Sequence, residues 1–309
     1  MKKSYWPTTV IFILSFIWGS TWVAIQFGLE SLPPFMFATA RFIIATILVY
    51  VTLLIRKIRF PRDKHTWKVM IVIGIFQALD YAFVFWGEQF VNAGIGAILF
   101  ATMPFFVVIF NYFMSEKHEM TWIQIAGITI SFVGVIFIFA DDVSFSGKSL
   151  LGGVCMILAA MSGAYMSVYA KLHANHINPV TNTLVQMFVS ALGLGALSII
   201  LEDPNHFQIT INGALAILYL GGFGSALAFI LYMWVIKKVS VIEASIIPLT
   251  TPIAAVVLGW LMRNEKFGLN IFLGGALILA GVYMVNILST RVTAKNGKNE
   301  VEVLPTAEP

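Results

Sequence analysis

The sequence predicts an all-α membrane protein of ten transmembrane helices, arranged as two inverted five-helix repeats with both termini in the cytoplasm. Three observations lead to this fold class. The 309-residue chain is 59% hydrophobic and only 11% charged, whereas water-soluble chains are about 25% charged. Its basic residues are distributed unevenly between the two sides that the apolar stretches define, and the second half repeats the order of motifs in the first.

The apolar stretches account for nearly the whole chain. A hydrocarbon core of about 30 Å requires about 20 apolar residues in a helix, and ten stretches meet this length. Lys2 and Lys3 precede the first stretch as in a signal peptide, but it has no small-residue cleavage site and further spans follow, so we expect a retained helix. The spans are predicted at residues 8–28, 35–55, 68–87, 93–114, 122–140, 150–171, 180–201, 213–236, 244–262 and 269–288.

Lysine and arginine residues set the expected orientation, because cytoplasmic loops carry an excess of both. With the N-terminus in the cytoplasm, fifteen of the nineteen Lys and Arg residues fall on the cytoplasmic side, three on the other side, and Arg41 lies within a span. An odd number of spans would move the basic residues after the last one to the other side. The charges therefore predict a multi-pass protein of the cell (inner or plasma) membrane with both ends inside.

The second half of the chain repeats the first with an offset of about 145–149 residues. Because each half holds five spans, an odd number, the two copies must enter the membrane in opposite directions. This predicts one repeat at residues 1–145, a second at 146–289, and a disordered cytoplasmic tail at 290–309. The matched motifs are Pro34 to Arg41 with Pro179 to Gln186, Thr102 and Pro104 with Thr250 and Pro252, Glu116–Lys117 with Glu265–Lys266, and Gly127 and Gly134 with Gly274 and Gly281.

These motifs resemble those of a known family. Trp18-Gly19-Ser20 and Phe27 to Glu30, followed by Pro34 and Arg41, are similar to the start of an EamA-like transporter of the drug/metabolite transporter superfamily. The paired motifs above resemble the end of that repeat and its second copy, so the resemblance covers residues 10–288. It implies ten helices around a central cavity and the movement of amino acids, metabolites or drugs, often outward. Gln186 stands where the first copy has Arg41, so no particular substrate is carried over.

Asp80 is the first candidate functional residue. It lies about twelve residues into the third predicted span, close to the bilayer midplane at 1.5 Å per residue, where ionisable groups are costly. A carboxylate there could bind the ammonium group of a substrate or carry a coupling proton. The alternative is a structural Asp, protonated or hydrogen-bonded between packed helices. Gln77 and Tyr81, its neighbours on the span, join it in the predicted substrate-binding or coupling group.

Arg41 lies about seven residues into the second span, nearer the outer face. Its guanidinium could hold a substrate carboxylate through two hydrogen bonds. The alternative, which we favour, is a gating or structural arginine that extends to the interface or pairs with an outer carboxylate such as Glu30 or Glu88.

Aromatic residues on the first, sixth and eighth spans are further candidates. Trp18 and Trp22 are four residues apart, as are Tyr165 and Tyr169, so each pair shares one helix face; Tyr232 lies on the eighth span. The family resemblance places these spans around the cavity, where the rings would suit an amphipathic or aromatic substrate. The alternative is an interfacial aromatic belt.

Pro104 and Pro252 fall within or at the start of the fourth and ninth spans. Because proline removes a backbone hydrogen bond and bends a helix, each could form a hinge or cavity bend, or a plain packing kink. The repeated glycines on the fifth and tenth spans are expected to permit close helix approach instead of substrate contact.

These features favour a secondary transporter that exports a small metabolite, amino acid or drug by alternating access. Its partners would be a small-molecule substrate and the lipid bilayer, with proton coupling open, no nucleic acid, and a monomeric or homodimeric state. We expect no cofactor, no metal site and no catalytic residue, because no nucleotide-binding or metal-ligand pattern is complete and no catalytic constellation converges at one depth. The alternatives are a membrane-embedded enzyme, which would need clustered catalytic groups, and a non-transporting membrane sensor, which would need a sizeable soluble domain.

Overall fold

The described part of the protein is helical, and each predicted span corresponds to one helix or to two or three consecutive helical segments. The computed structural model describes residues 6–114, 122–140, 147–203, 205, 208–240, 244 and 246–284. Within this part of the chain, seven helical segments are long and apolar enough to cross a membrane, and three shorter apolar helices accompany them. The predicted tail at 290–309 and the Glu116–Lys117 pair lie outside the described residues.

The helix bounds lie within a few residues of those predicted. The helices are α1 (Trp6–Leu29), α2 (Pro34–Ile55), α3 (Lys64–Gly87), α4 (Ala93–Phe100), α5 (Met103–Met114), α6 (Trp122–Ala140), α7 (Gly147–His173), α8 (Pro179–Leu201), α9 (Ile211–Tyr219), α10 (Ala228–Lys238), α11 (Ile246–Arg263) and α12 (Leu269–Tyr283), with a π-helical segment (Leu220–Leu227) between α9 and α10.

Two of the ten spans are irregular. The fourth is divided, because α4 ends at Phe100 and α5 begins at Met103, directly before Pro104. Proline has no N–H to donate to the preceding turn and disfavours a helical residue before it, which explains the break. The eighth span runs as α9, then the glycine-rich π segment, then α10. π turns are rare and occur frequently at functional sites.

The main helix pairs join one half of the chain to the other. α2 packs against α8, α6 against α12, and α4 against α11. α3 packs against α7 and α8, and its counterpart in the second half, the α9–α10 span, packs against α1 and α2. In the same way, α1 packs against α11, and α7 packs against α4 and α5. Each of these pairs has an equivalent when the two halves are exchanged, and both halves contribute to one shared interior.

The outside of the bundle is apolar. Large hydrophobic side chains are highly exposed there, including Ile199 at 84%, Ile211 at 80% and Phe113 at 77%. Side chains of this kind stay exposed where the surroundings are lipid tails instead of water, because lipid removes the cost of hydrating them. The exposed surface thus agrees with insertion in a bilayer.

The loops at one end of the bundle are tied by carboxylates. We call this the Glu265 end; it holds the loops at 30–33, 88–92 and 264–268. The Glu265 carboxylate accepts hydrogen bonds from the backbone N–H groups of Ala93 (3.1 Å) and Gly94 (3.3 Å) at the start of α4. Arg263, at the end of α11, pairs with Glu30 after α1 at 2.5 Å.

The opposite end is tied by lysines, and we call it the Lys171 end. The Lys171 ammonium group, on α7, donates to the carbonyl oxygens of Ile236 (2.7 Å) and Val239 (2.8 Å) at the end of α10. Lys237 donates to the carbonyl of Ile177, between α7 and α8, at 2.8 Å. Positive groups are favourable at helix C-termini, where carbonyls lack partners. Both ends of the bundle are therefore closed by polar contacts.

Candidate functional site

A cavity of about 70 Å³ lies in the interior between the two halves. Both halves contribute to its wall, through α1 to α5 on one side and α7, α10 and α11 on the other. It is lined by Trp18, Thr21, Trp22, Ile25, Arg41, Asp80, Tyr81, Val84, Phe100, Met103, Gly163, Met166, Ser167, Phe229, Tyr232, Pro248 and Thr251.

Asp80 supplies the negative charge of this cavity. It is only 6% exposed, and its Oδ1 atom has no hydrogen-bond partner among the described residues. Its other carboxylate oxygen faces α7 at Gly163, where a Cβ atom would lie only 3.0 Å from Oδ2. Glycine at this position therefore makes room for the carboxylate, which a larger residue would displace.

Arg41 supplies the positive charge and is fully buried. Its Nε donates to the Ser225 hydroxyl at 2.7 Å, and its Nη2 donates to the Gly224 carbonyl at 3.1 Å and to the Tyr81 hydroxyl at 3.3 Å. The guanidinium carbon also lies 4.6 Å from the centroid of the Tyr81 ring, within the range of a cation–π contact. Its Nη1 has no partner among the residues described.

This placement of Arg41 corrects one interpretation of the sequence. The side chain neither extends to the interface nor reaches Glu30, which pairs with Arg263 instead. The reason is that the interior offers acceptors: the π segment supplies the Ser225 hydroxyl and the Gly224 carbonyl, and α3 supplies the Tyr81 hydroxyl.

The π segment makes the Gly224 carbonyl available. The N–H of Ala228 donates to the carbonyls of Phe223 and Ser225 and passes over Gly224, its usual α-helical partner. The Gly224 carbonyl accepts instead from Arg41 and from Trp18 Nε1, at 3.1 Å each. The glycine-rich sequence LGGFGSAL fits this close packing, because a Cβ at Gly221 would lie 2.8 Å from an Ile44 side-chain atom of the neighbouring α2.

Aromatic rings form most of the remaining wall. Trp18 packs against Phe229 and Tyr232, with ring centroids 5.2 Å apart in both pairs. Trp22 meets the edge of Phe100 at 5.5 Å. The Tyr232 hydroxyl donates to the Ser167 hydroxyl at 2.7 Å. Such rings offer apolar faces and, at Tyr and Trp, a polar group that is satisfied when buried.

The cavity contains an acidic and a basic side chain, Asp80 and Arg41, that are not in contact. No ion pair within 4.0 Å joins Asp80 to Arg41 in the part of the chain that is described, and each retains an unpartnered polar atom. Buried charges are stabilised by partners, and each of these two groups keeps one polar atom that could form a further hydrogen bond. The aromatic wall would contact an apolar body between them.

The cavity is small in this conformation. Its volume of about 70 Å³ compares with roughly 300–1,000 Å³ for pockets that enclose drug-sized ligands. In this conformation the cavity is therefore smaller than a pocket of that kind.

Three predicted residues lie away from the cavity. The Gln77 amide, fully buried, points to α8 and lies 3.9 Å from the sulfur of Met187. Tyr165 packs against Phe76, with centroids 4.0 Å apart, and Tyr169 lies beyond it, 6.0 Å from Tyr165. The two tyrosines do share a helix face, as their spacing requires, but Gly163 and Ser167 occupy the face of α7 that turns to the cavity.

The two prolines lie next to the cavity and not in its wall. Pro104 is buried in the first turn of α5, and Pro252 lies inside α11. Because Pro252 has no N–H, the Pro248 carbonyl four residues earlier loses its helical partner. The Thr251 hydroxyl donates to that carbonyl at 3.1 Å, so this bend is satisfied locally, and both Thr251 and Pro248 line the cavity.

Several residues that contact Asp80 or Arg41 escaped the sequence analysis. Gly224 and Ser225, which bind Arg41, and Gly163, which faces Asp80, were not singled out. The LGGFGSAL stretch, with three glycines and a serine in the middle of an apolar span, was the available signal for a special backbone. No comparable signal marks Gly163, since its significance depends on Asp80 from another helix.

Comparison with known proteins gives a consistent result. The model of the EamA-like transporter family matches this chain twice, at residues 6–140 and 150–287. The uncharacterized transporter YoaV of Bacillus subtilis is 28% identical over 276 residues, covering 89% of this chain and 94% of that protein. The uncharacterized inner membrane transporter YedA of Escherichia coli is 29% identical over 279 residues, covering 90% of this chain and 89% of YedA.

A third relative and one solved structure are also similar to this chain. Protein PagO of Salmonella typhimurium is 29% identical over 253 residues, which cover 80% of this chain and 82% of PagO. A solved crystal structure superposes with a TM-score of 0.69 over 94% of this chain and 99% of the other, at 17% sequence identity. At that identity the likeness concerns the fold alone.

Proposed function

Because the chain belongs to the EamA-like transporter family, we propose that it is a secondary carrier that moves a small molecule by alternating access through the Asp80 cavity. Its relatives are named as membrane transporters, and the chain is accordingly a multi-pass membrane transporter and not an enzyme. The observation that carries the proposal is the buried cavity with Asp80 on one side and Arg41 on the other, each with an unpartnered polar atom.

The two halves are proposed to be inverted repeats with both termini in the cytoplasm. Two matches to one family model, each over five helical spans, support the repeat. The equivalence of helix pairs when the halves are exchanged supports it further. The excess of lysine and arginine on one side supports an orientation with the Lys171 end cytoplasmic and the Glu265 end external.

Alternating access would proceed by breaking the polar contacts at one end of the bundle while those at the other end stay formed. At the external end, Glu265 joins the α11–α12 loop to α4, and Arg263 joins it to Glu30. At the cytoplasmic end, Lys171 and Lys237 join α7, α8 and α10. Both sets are formed in this conformation, so it corresponds to an occluded state, and opening of either set would admit substrate from one side.

The substrate is proposed to be a small metabolite, amino acid or drug that carries a positive group. The ammonium group would bind the Asp80 carboxylate, and a carboxylate on the same molecule, where present, would bind Arg41 Nη1. Trp18, Trp22 and Tyr232 would contact its apolar body. Outward transport is the proposed direction.

Asp80 has two proposed roles that experiment can separate. If it binds the substrate ammonium, Asp80→Asn should abolish both net transport and exchange of labelled for unlabelled substrate. If it carries a coupling proton, the same change should abolish transport driven by a proton gradient and leave exchange in place, because exchange needs no net proton movement.

The experiment is a screen with the purified full chain in lipid vesicles. Amino acids, other metabolites and cationic drugs are offered with and without an imposed proton gradient. We expect flux of at least one class above that of empty vesicles, its loss in Asp80→Asn, and a reduction in Arg41→Lys, which keeps the charge but loses the Nε contact with Ser225. Asp203→Asn, at an exposed acid in the α8–α9 loop, is the matched control. Undiminished flux in Asp80→Asn would contradict the proposal.

A further inference from the structure

A second buried carboxylate lies on the path from the cavity to the Glu265 end. Glu88 directly follows α3 and is only 1% exposed, and neither of its carboxylate oxygens has a hydrogen-bond partner among the described residues. Its backbone carbonyl, in contrast, accepts from the Gln26 amide at 2.7 Å. The backbone of Glu88 is thus fixed by a hydrogen bond, while its carboxyl group has no partner among the described residues.

Glu88 continues the stripe of α3 that faces the cavity. Asp80, Val84 and Glu88 are spaced by four residues, so they lie one above another on the helix face, and Asp80 and Val84 both line the cavity. Eight residues at 1.5 Å each separate the two acids by about 12 Å along the axis. Asp80 therefore faces the binding cavity, and Glu88 faces the external loops.

The charged groups around Glu88 come from three other elements. Glu265, on the α11–α12 loop, acts as a like charge, while Arg41 on α2 and Arg263 at the end of α11 act in the opposite sense. Arg263 is already paired with Glu30. Cys155 of α7 packs against the end of α3 at Gly87.

Counting the buried charges shows that a proton is required. Arg41 is fully buried, Asp80 is 6% exposed and Glu88 is 1% exposed, so one cation is shared by two carboxylates. The Glu265 carboxylate has its own partners in the N–H groups of Ala93 and Gly94. A buried charge without a partner costs several kcal/mol, so we infer that one of the two carboxyl groups, Asp80 or Glu88, is neutral.

The surroundings assign that proton to one of the two. Asp80 lines the cavity and has one unpartnered oxygen, whereas Glu88 has two unpartnered oxygens and has Glu265 as a like charge. A neutral carboxyl group relieves both costs at Glu88.

We propose that Glu88 is a proton-binding carboxyl group that holds a proton while the Glu265 end is closed and exchanges it with the external side when that end opens. The role of this exchange in coupling rests on the proposed carrier function, but the presence of the proton does not. Separation of Glu265 from α4 would admit water to Glu88 and stabilise its ionised form.

Infrared spectroscopy of the full chain in phosphatidylcholine vesicles, without substrate, tests the proton directly. Near pH 7, where an ordinary Glu with a pKa of about 4.3 is ionised, the protein is expected to show the C=O band of a protonated carboxyl group. Glu88→Gln should lose this band, and Asp80→Asn and Asp203→Asn should retain it. Glu88→Asp, which keeps a carboxyl group, should retain a band at a changed frequency.

The outcomes separate this inference from the proposed function. Absence of the band in the unsubstituted protein would overturn the proton site. So would a band in Glu88→Gln and in Glu88→Asp that is identical to that of the unsubstituted protein. Because no substrate is present, either result leaves the carrier proposal standing. Conversely, undiminished flux in Asp80→Asn would overturn the carrier proposal without affecting the assignment of the proton to Glu88.

Discussion

The α6–α12 pair and the Asp80 cavity both depend on glycine, but glycine has a different use in each. In the α6–α12 pair it lets two helix backbones touch. In the cavity it leaves room for charged side chains. The contrast shows that one residue type, placed in similar apolar spans, can serve packing in one region and charge placement in another.

The α6–α12 contact is made between backbones. A Cβ at Gly134 would lie 2.6 Å from the Gly274 carbonyl oxygen, and one at Gly281 would collide with the Gly127 carbonyl and the Ser131 hydroxyl. The Ser131 hydroxyl donates to the Ile278 carbonyl at 3.0 Å. Small residues that allow such close approach are typical of membrane helix pairs. This region is therefore expected to be sensitive to volume and insensitive to charge.

The cavity glycines face functional groups instead. A Cβ at Gly163 would lie 3.0 Å from Asp80 Oδ2, and one at Gly224 would lie 3.3 Å from Arg41 Nη2. Side chains can move by a few tenths of an ångström where backbones cannot. Substitutions here are therefore expected to spare the fold and alter transport.

The largest effect is expected for Gly281→Ala on stability. Its new methyl group meets the α6 backbone, which cannot withdraw without separating the two helices, so we expect a loss of about 1–3 kcal/mol, as in overpacked cores. Gly275→Ala on the same helix is the matched control, because its Cβ would meet only Ile98 at 3.5 Å or more. Thermal unfolding of both variants in detergent measures the difference. Equal stability of the two variants would contradict the backbone contact.

The next effect is expected for Gly163→Ala on transport. The added methyl group displaces the Asp80 carboxylate by a few tenths of an ångström, and we expect flux to fall about tenfold, since misplacement of a binding group by about 1 Å can cost 100-fold. Unfolding temperature should change little. Gly147→Ala, where a Cβ meets nothing within 4 Å, serves as the control on the same helix. A fall in stability without a change in flux would contradict this prediction and would show that Gly163 serves helix packing, like Gly281.

A smaller effect on transport is expected for Gly224→Ala. Its Cβ would lie 2.9 Å from the Thr21 side chain and 3.3 Å from Arg41 Nη2, so the guanidinium must shift but keeps its contact with Ser225. We expect a reduction of about threefold, smaller than for Gly163→Ala because the long Arg side chain can adjust. Gly222→Ala, whose Cβ would meet only Leu48 at 3.7 Å, should transport normally. The measurement is the flux of both variants in vesicles of the same composition. Equal flux in the two variants would contradict the prediction.

The local features of this molecule could be predicted from its sequence. The spans could be predicted because hydropathy over about 20 residues reflects directly whether a helix is surrounded by lipid. Asp80, Arg41, Tyr81, Trp18, Trp22 and Tyr232 were also named, and all six line the cavity. Polar or aromatic groups at membrane depth are conspicuous wherever they fall in the chain.

Features that depend on contacts between distant helices could not be predicted in the same way. The four-residue spacing of Tyr165 and Tyr169 shows that they share a face of α7, but not which neighbour that face meets. Arg41 was expected to seek an outer carboxylate, whereas its partners come from a π turn about 180 residues later. An interior acceptor of this kind arises only when the eighth span widens beside α2.

The smallest effect is expected outside both regions, at the start of α3, the helix that carries Asp80. The Asp63 carboxylate accepts the backbone N–H of Thr66 at 2.7 Å and caps this helix. That hydrogen bond holds the pKa of Asp63 below its usual value, and His176 acts in the same direction. A lowered pKa in the folded state means that the stabilisation is complete above the unfolded-state pKa, about 3.9, and is lost as the pH falls through the folded-state value. Asp63→Ala should therefore lower the unfolding temperature slightly at neutral pH and reduce its fall on acidification below about pH 4. If the two proteins lose stability equally on acidification, the cap contributes nothing to α3.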